Sequence, residues 1–437
     1  MLLAMIHNKR IKTFIETFSG IRKREFLYIF IMGCASFIGF IKMMVYGKYL
    51  SPASMGYFSI ANTIAGYGVF LHLGILNGLN RELSVSFGKG NEKSYSELVG
   101  GSTIVLTLLY LAGLIVYSIV LPSIPMASPM KEAFFYGGLL AFSAPFGQIV
   151  ILRLRSEQRV FAFSSLQLLN SIILLIIGVA AIIYYDYKGA ILIVILTNFI
   201  MFFICNKTLL RPVNYNTFNL KEIKYLIRIG FPLMISLLLI NLQMSMDRLF
   251  LINNKSAYEI GIYSMGTLPL ILGVAINGIL NQYIGPKLLF RFGQGVSLSY
   301  IFKKSVMASI AIICTMLIIW PIVAIILHYS INTWLPNYTN SLPIISIFYF
   351  GTIFTAASIT GVTLNAANRQ ILILAIYLFT TCMSFFAYLF ISYYKLSLNW
   401  YAYINTTAQI LTFSLTTGIS YYLTKEKIKI IDSQTRG

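Results

Sequence analysis

The sequence predicts an all-α polytopic membrane protein with about twelve transmembrane helices, arranged as two pseudo-symmetric six-helix lobes around a central cavity. Three observations predict this fold: an apolar composition, a series of long apolar runs and an internal repeat at an offset of about half the chain length. Of the 437 residues, 58% are hydrophobic and only 11% are charged, with a mean hydropathy of +0.79. Soluble domains contain about 25% charged residues. A chain this poor in charge could not cover a water-facing surface.

The net charge of +20 does not indicate a nucleic-acid binder. It results from 13 acidic residues against 33 Lys and Arg, and most of the basic residues fall between apolar runs on one side of the membrane. We therefore predict no nucleic-acid partner. The basic pI follows from membrane topology instead.

Twelve apolar runs can each cross a bilayer, which takes roughly 20 mainly apolar residues in a helix. Strands of a membrane barrel would be half as long and alternating, and only helices satisfy their own backbone in lipid at this length. The runs lie near residues 26–46, 57–80, 98–121, 133–152, 160–185, 189–205, 225–252, 258–284, 305–329, 341–364, 370–394 and 398–423.

The polar stretch between the sixth and seventh runs divides the chain. The predicted units are a cytoplasmic basic N-terminus (1–25), an N-lobe (26–205), a cytoplasmic linker (206–224), a C-lobe (225–423) and a cytoplasmic tail (424–437). Of the Lys and Arg residues, 25 lie on the side of the two termini, five lie on the opposite side and three fall within spans. By the positive-inside rule, both termini are expected in the cytoplasm.

An internal repeat joins equivalent loops of the two lobes. The segment 51–59 aligns without gaps on 256–264, at an offset of 205, with Ser51/Ser256, Gly56/Gly261 and Ser59/Ser264 identical. Six spans per lobe give both lobes the same orientation, so the repeat is parallel and its axis lies along the membrane normal. Such halves usually enclose a central substrate path and rock against each other.

Three charged residues within spans are the functional candidates, because a charge at the centre of a spanning helix costs about 2.5–3.5 kcal/mol on insertion scales. They are Lys42 in the first span and the pair Asp247 and Arg248 in the seventh. The offset of 205 places Lys42 on Asp247, which allows a structural ion pair between the lobes. Alternatively, Lys42 and Arg248 line an aqueous cavity and bind an anionic substrate, while Asp247 serves coupling or gating. Neighbouring helical residues point about 100° apart, so Asp247 and Arg248 face different surroundings.

Weaker candidates are polar residues at helical spacing within spans. Gln243 lies on the face of Asp247, and Asn405 and Gln409 lie on one face of the last span. These three could line the cavity or form hydrogen bonds between helices.

Arg153, Arg155 and Arg159 follow the fourth span and could capture anionic headgroups, although positive-inside topology explains them equally well. The sequence contains no visible metal-ligand cluster, nucleotide-binding loop or nucleophile triad. We therefore predict no metal, no cofactor and no enzymatic activity.

Two motifs resemble those of a transporter family. The segment 49–59 is similar to the "LxPxxyGxxs" turn of bacterial polysaccharide exporters, and 246–251 followed by 259–264 is similar to their "DR…vGxYs" signature. The loop 155–159 is also typical. These exporters are O-antigen translocases (Wzx-type flippases) of the multidrug/oligosaccharidyl-lipid/polysaccharide exporter superfamily, and the resemblance covers the chain in length, span count and turn position.

The resemblance implies a V-shaped pair of lobes in the bacterial inner membrane. It also implies alternating-access movement of an undecaprenyl-pyrophosphate-linked oligosaccharide, an O-antigen or capsule repeat unit, from the inner to the outer leaflet. Members carry cations in the cavity, which Lys42 and Arg248 match. The expected partners are this lipid-linked substrate, membrane lipids and possibly H⁺ or Na⁺ as the coupling ion.

Two alternatives were weighed. A multidrug or cation antiporter would share the fold, but drug exporters commonly carry a carboxylate in the first span, where this chain has Lys42. A membrane polysaccharide polymerase or glycosyltransferase would usually display a large external loop with catalytic carboxylates or arginines. The longest predicted external loops here have only about ten residues, which disfavours the enzyme.

Overall fold

The computed structural model describes residues 23–88, 90–213, 219–367 and 369–435, and within these ranges every regular element is helical. The predicted basic N-terminus lies almost wholly outside the described residues. The helices of the first half are α1 Lys23–Tyr49, α2 Pro52–Gly68, α3 Ile75–Gly88, α4 Glu92–Val120, α5 Ser128–Ser156 and α6 Val160–Thr208. Those of the second half are α7 Leu220–Asn254, α8 Ala257–Gly266, α9 Leu268–Gly293, α10 Leu298–Trp334, α11 Leu342–Ala356, α12 Gly361–Ala366, α13 Gln370–Tyr393 and α14 Leu398–Thr435. Short 3₁₀ turns occupy Val69–His72, Leu121–Ser123 and Pro336–Ser341.

These helices account for the predicted spans. Eight of them are long and apolar enough to cross a membrane, and ten spans result when each of two bent pairs counts as one. The bent pairs are α2 with α3, at 59°, and α8 with α9, at 44°. The fold class predicted from the sequence, an all-α membrane protein of about twelve spanning helices, is confirmed.

The 49-residue helix α6 supplies both the fifth and the sixth predicted runs. It is broken at Asp186, whose φ of +54° is not helical. A Cβ atom placed on Gly189 would lie 2.2 Å from the carbonyl oxygen of Ala181. Those two positions would be about 12 Å apart along a straight helix. The chain therefore reverses direction at Asp186, and the two arms of α6 lie against each other.

The repeated loops begin two equivalent helices. Ser51 caps α2 by accepting a hydrogen bond from the backbone N–H of Ser54, at 3.1 Å. Ser256 caps α8 in a capping box, in which Glu259 Oε2 also accepts from the backbone N–H of Ser256 at 3.0 Å. A serine cap satisfies one of the amide groups that have no partner at the start of a helix. The repeat is thus a pair of helix starts.

These two helices cross at the glycines of the repeat. A Cβ on Gly56 would lie 1.9 Å from the carbonyl oxygen of Ala257, and a Cβ on Gly261 would lie 1.7 Å from that of Pro52. Position 257 is the repeat equivalent of position 52. The contact is therefore reciprocal, as in a two-fold interface where residue i meets j and j meets i. The backbones approach this closely only because both crossing residues lack a side chain.

The lobes are packed together differently at the two ends of the bundle. We call the end that carries Arg153, Arg155 and Arg159 the basic end, and the end that carries Pro52 the opposite end. At the opposite end a single hydrophobic core contains residues of both lobes, such as Tyr46, Tyr263 and Tyr338.

At the basic end the cores are separate. One cluster packs in the N-lobe with the start of α7, and a smaller cluster packs in the C-lobe around Leu288 and Ile301. Helices α3 and α7 also touch at this end, where a Cβ on Gly230 would lie 2.0 Å from the carbonyl oxygen of Gly74. The lobes therefore share a large core at the opposite end, whereas at the basic end only the start of α7 packs into the core of the N-lobe.

Candidate functional site

Arg248 lies on the face of α7 that turns toward the N-lobe. It is half-buried, and its Nη2 donates to Oγ1 of Thr267 at 3.2 Å, at the bend between α8 and α9. Its Nε atom is buried and has no hydrogen-bond partner among the described residues. Gly230 is eighteen residues earlier, on the same helical face, and contacts α3 of the N-lobe. The guanidinium is therefore aimed at the space between the lobes with donor capacity left over.

Asp247 faces the interior of the C-lobe instead. Its side chain is 1% exposed. Oδ2 accepts from the Tyr263 hydroxyl at 2.6 Å and from Asn405 Nδ2 at 3.1 Å, and Oδ1 accepts from the backbone N–H of Arg248 at 2.8 Å. The expected divergence of residues 247 and 248 on neighbouring helical faces is therefore present. The carboxylate thus accepts three hydrogen bonds, one each from α7, α8 and α14.

Lys42 does not pair with Asp247. In the part of the chain that the structure describes, neither residue forms an ion pair within 4.0 Å. Lys42 is half-buried, and its Nζ lies 5.7 Å from the ring centroid of Tyr46, one turn along α1. Tyr46 in turn donates to the carbonyl of Leu174 in α6 at 2.7 Å. The interpretation of Lys42 and Asp247 as an ion pair between the lobes does not match this geometry.

The sequence left two roles open for Gln243, Asn405 and Gln409, cavity lining and hydrogen bonding between helices, and the geometry matches the second. Their exposed fractions are 4%, 0% and 6%. Gln243 Nε2 donates to the carbonyl of Ala408 at 3.1 Å, and Gln409 Nε2 donates to Oδ1 of Asn405 at 2.5 Å. Inside an apolar bundle, buried amides are stable when paired in this way. They form the interhelical network of the C-lobe in this conformation, and with it they hold Asp247.

The three arginines of the basic end, for which headgroup capture and positive-inside topology were both open, lie in different surroundings. Arg153 is fully buried and donates to Asn206 Oδ1 and, at 2.5 Å, to the carbonyl of Arg211. Arg159 forms an ion pair with the buried Glu157 at 3.2 Å. Arg155 is exposed and, in the described residues, forms no ion pair. Only Arg155 is placed to meet a headgroup without first giving up a partner.

The sequence analysis did not single out four residues that complete the site. Tyr67 of α2 reaches across to α7, where its hydroxyl lies 2.8 Å from Ser245 Oγ, while Thr267 and Tyr263 hold Arg248 and Asp247. The alignment of the repeat contained an indication of Tyr263, because its partner at the offset of 205 is Phe58. Both rings are similar in size, and only Tyr263 carries the hydroxyl that binds Asp247.

No family model matches the sequence, and no curated protein matches it either. Solved structures do match in fold. The lipid II flippase MurJ in an inward closed conformation aligns with a TM-score of 0.70 at 13% identity, covering 90% of this chain and 86% of that one. An inward-facing multidrug resistance MATE family transporter of the MOP superfamily aligns with a TM-score of 0.66 at 19% identity, covering 91% and 96%.

A third match is a MOP superfamily transporter from Pyrococcus furiosus. Its title describes a reverse polarity of the binding pocket that suggests a different function. It aligns with a TM-score of 0.56 at 17% identity, covering 90% of this chain and 95% of that one. The chain thus has the fold of MOP transporters over nearly its whole length. Each of the three proteins is described as a transporter or a flippase, and none as an enzyme.

Proposed function

We propose that this protein is a flippase that moves a lipid-linked oligosaccharide with an anionic pyrophosphate, of the undecaprenyl type used for O-antigen or capsule, across the bacterial inner membrane by alternating access. The observation that carries the proposal is the charge state of the interior. Arg248 lies on the face of α7 that turns toward the N-lobe and, among the described residues, forms no ion pair within 4.0 Å, whereas Asp247 is buried and accepts its hydrogen bonds within the C-lobe. The interior is therefore electropositive.

A pyrophosphate needs such a path. A charged group crosses hydrocarbon only at high cost, and Arg recognises phosphate through parallel N–H donors while Lys binds it as a point charge. Moving negative charge outward across a negative-inside membrane is favoured by about 2.3 kcal/mol per charge per 100 mV. Lys42, one turn from Tyr46 on α1, would supply the second cation.

The fold relatives support the substrate class. MurJ is a lipid II flippase, and the Pyrococcus furiosus transporter sets a precedent for reversed pocket polarity within this fold. Lys42 places a cation in the first span, where drug exporters commonly carry a carboxylate. A cation at this position fits an anionic substrate. A multidrug antiporter remains the alternative because a MATE transporter is among the fold relatives.

A complementation experiment tests the proposal. The double variant Lys42→Ala/Arg248→Ala in a flippase-deficient strain is expected to abolish surface polysaccharide and to let the lipid-linked intermediate accumulate, at unchanged membrane level. Hydrogen bonds to charged groups contribute about 1.5–3 kcal/mol each, so removing two corresponds to a loss of about 100-fold or more in transport at low substrate.

The matched control is Lys48→Ala/Arg228→Ala, which removes the same charges from exposed positions of the same two helices. It is expected to export normally. Full export by the Lys42→Ala/Arg248→Ala variant would refute the assignment. Efflux of cationic dyes by the wild type, without any rescue of polysaccharide, would favour the multidrug antiporter.

Asp247 has a proposed role in coupling. Protonation would turn one carboxylate oxygen from an acceptor into a donor, which conflicts with the hydrogen bonds from Tyr263 and Asn405. A proton at Asp247 would thus loosen the contact of α7 with α8 and α14. A Na⁺ ion would instead have to displace those two donors.

A further inference from the structure

Neutral hydrogen-bonding side chains lie beside Arg248 on the facing surfaces of α2 and α7. Asn241 is half-buried and lies seven residues before Arg248 on the same helical face, about 10 Å toward the basic end. Ser245 lies between them and donates to the carbonyl of Asn241 at 2.6 Å. Its Oγ therefore accepts the hydrogen bond of the Tyr67 hydroxyl, at 2.8 Å. The amide of Asn241 itself makes no hydrogen bond within the described part of the chain.

On α2, the residue that faces Asn241 is Gly66, which has no side chain. A Cβ atom placed on Gly66 would lie 4.0 Å from Nδ2 of Asn241, and Gly66 has no other neighbour within that distance. Asn62 lies one turn before Gly66 on the same face and is exposed. Its Nδ2 donates to the carbonyl of Phe58 at 2.8 Å, which leaves its amide oxygen available.

Asn62 lies about 15 Å along α2 from Pro52, at membrane depth. A polar group exposed to hydrocarbon at that depth would cost free energy with no compensation. The face that it shares with Gly66 turns toward α7. The amide therefore opens into the space between the lobes.

We propose that Asn62, Gly66 and Asn241 form a saccharide subsite next to Arg248. This inference rests on the proposed function, since Arg248 would hold the pyrophosphate to which the first sugar is bonded. Sugar hydroxyls donate and accept hydrogen bonds, and carboxamides do both without adding charge. Because Gly66 has no side chain, nothing on α2 covers the amide of Asn241.

The subsite and Arg248 would recognise different parts of one substrate, the sugar and the pyrophosphate. Arg248 contributes charge and would bind the pyrophosphate whatever is attached to it. The two asparagines contribute selectivity, because a polar site built for a hydroxyl-bearing group discriminates against the analogue that lacks it. The subsite therefore predicts a difference in affinity between a glycosylated and a bare lipid carrier.

The test uses the full-length protein in nanodiscs with two probes, undecaprenyl pyrophosphate and the same lipid carrying one N-acetylglucosamine. The wild type is expected to bind the glycosylated probe about tenfold more tightly. Asn241→Leu and Asn62→Leu should each lose most of that difference and bind the bare lipid within twofold of the wild type. Gly66→Val should act in the same way, because its methyl groups would cover the amide of Asn241.

Two control variants distinguish the loss of the subsite from misfolding. Asn254, like Asn62, is exposed and donates a hydrogen bond to the carbonyl four residues earlier. The Asn254→Leu variant should bind both probes normally. Asn241→Gln retains the amide and should keep part of the preference.

Equal binding of both probes by the wild type, or equal weakening of both by Asn241→Leu, would overturn the subsite alone. If the wild type bound neither probe, the proposed function would fail together with the subsite.

Discussion

Replacing Gly56 with alanine should force apart the crossing of α2 and α8 that seals the opposite end. The added Cβ would lie 1.9 Å from the carbonyl oxygen of Ala257, more than 1 Å inside the shortest contact that real Cβ atoms make. The carbonyl oxygen belongs to the backbone, so no side chain can rotate away. The two helices must separate by about that distance or the crossing must shift.

The magnitude follows from overpacking, which costs typically 1–3 kcal/mol. Because the clash involves backbone on both sides, we expect about 3 kcal/mol, which corresponds to a more than 100-fold shift away from the sealed state. Alanine in place of glycine inside a helix otherwise stabilises by about 1 kcal/mol. The control Gly33→Ala, where a Cβ would meet nothing within 4 Å, should therefore be neutral or stabilising.

Cysteine labelling of the purified protein measures this shift. In a background without native cysteines, Ile262→Cys places a thiol at a position that is 2% exposed beside the crossing. A maleimide should label it at least tenfold faster in the Gly56→Ala variant and at an unchanged rate in the Gly33→Ala variant. Gly261→Ala, the two-fold equivalent, should behave like Gly56→Ala. Slow labelling in both crossing variants, with thermal stability raised as in Gly33→Ala, would refute the reasoning.

Two further predictions concern buried polar networks. Tyr263→Phe removes the 2.6 Å hydrogen bond to Asp247 and should lower the free energy of unfolding by about 1–3 kcal/mol, whereas Tyr258→Phe at a position 47% exposed should leave the melting temperature unchanged. Arg153→Ala removes the fully buried donors to Asn206 Oδ1 and to the carbonyl of Arg211 and leaves Glu157 with Arg159 alone, which should cost at least about 2 kcal/mol. The exposed Arg155→Ala should stay within about 0.5 kcal/mol. Similar melting temperatures for these two variants would contradict the structural role of Arg153.

Hydropathy predicted the helices well because crossing hydrocarbon imposes a length and an apolar composition on each span. All twelve predicted runs coincide with helical segments. The boundaries differ because helices continue beyond the hydrocarbon. Helix α7 starts at Leu220, inside the predicted linker 206–224, and α14 runs on to Thr435 in the predicted tail 424–437. The bends within the second and eighth spans were not predicted, since breaks of a few residues barely change hydropathy over a window.

The sequence predicted the candidate site only in part, because it does not show in which direction each polar side chain points. Helical geometry correctly separated the directions of Asp247 and Arg248. It could not place Gln243 or Asn405, because a polar row on a helix looks the same whether it faces water or another helix. Burial decided that question, with both residues less than 5% exposed.

The repeat explains how a symmetric architecture acquires an asymmetric charge. The two lobes place Lys42 and Asp247 at equivalent positions, and the helices that follow place Phe58 and Tyr263 at equivalent positions. In the C-lobe, the Tyr263 hydroxyl helps to bind the carboxylate and keep it inside the lobe. In the N-lobe, Phe58 offers no hydrogen bond to Lys42, which lies over a tyrosine ring instead. One lobe thus retains its negative charge in internal hydrogen bonds while the other leaves a cation without a carboxylate. In the proposed function, this cation and Arg248 together would give the two-fold scaffold a net positive charge toward a substrate between its lobes.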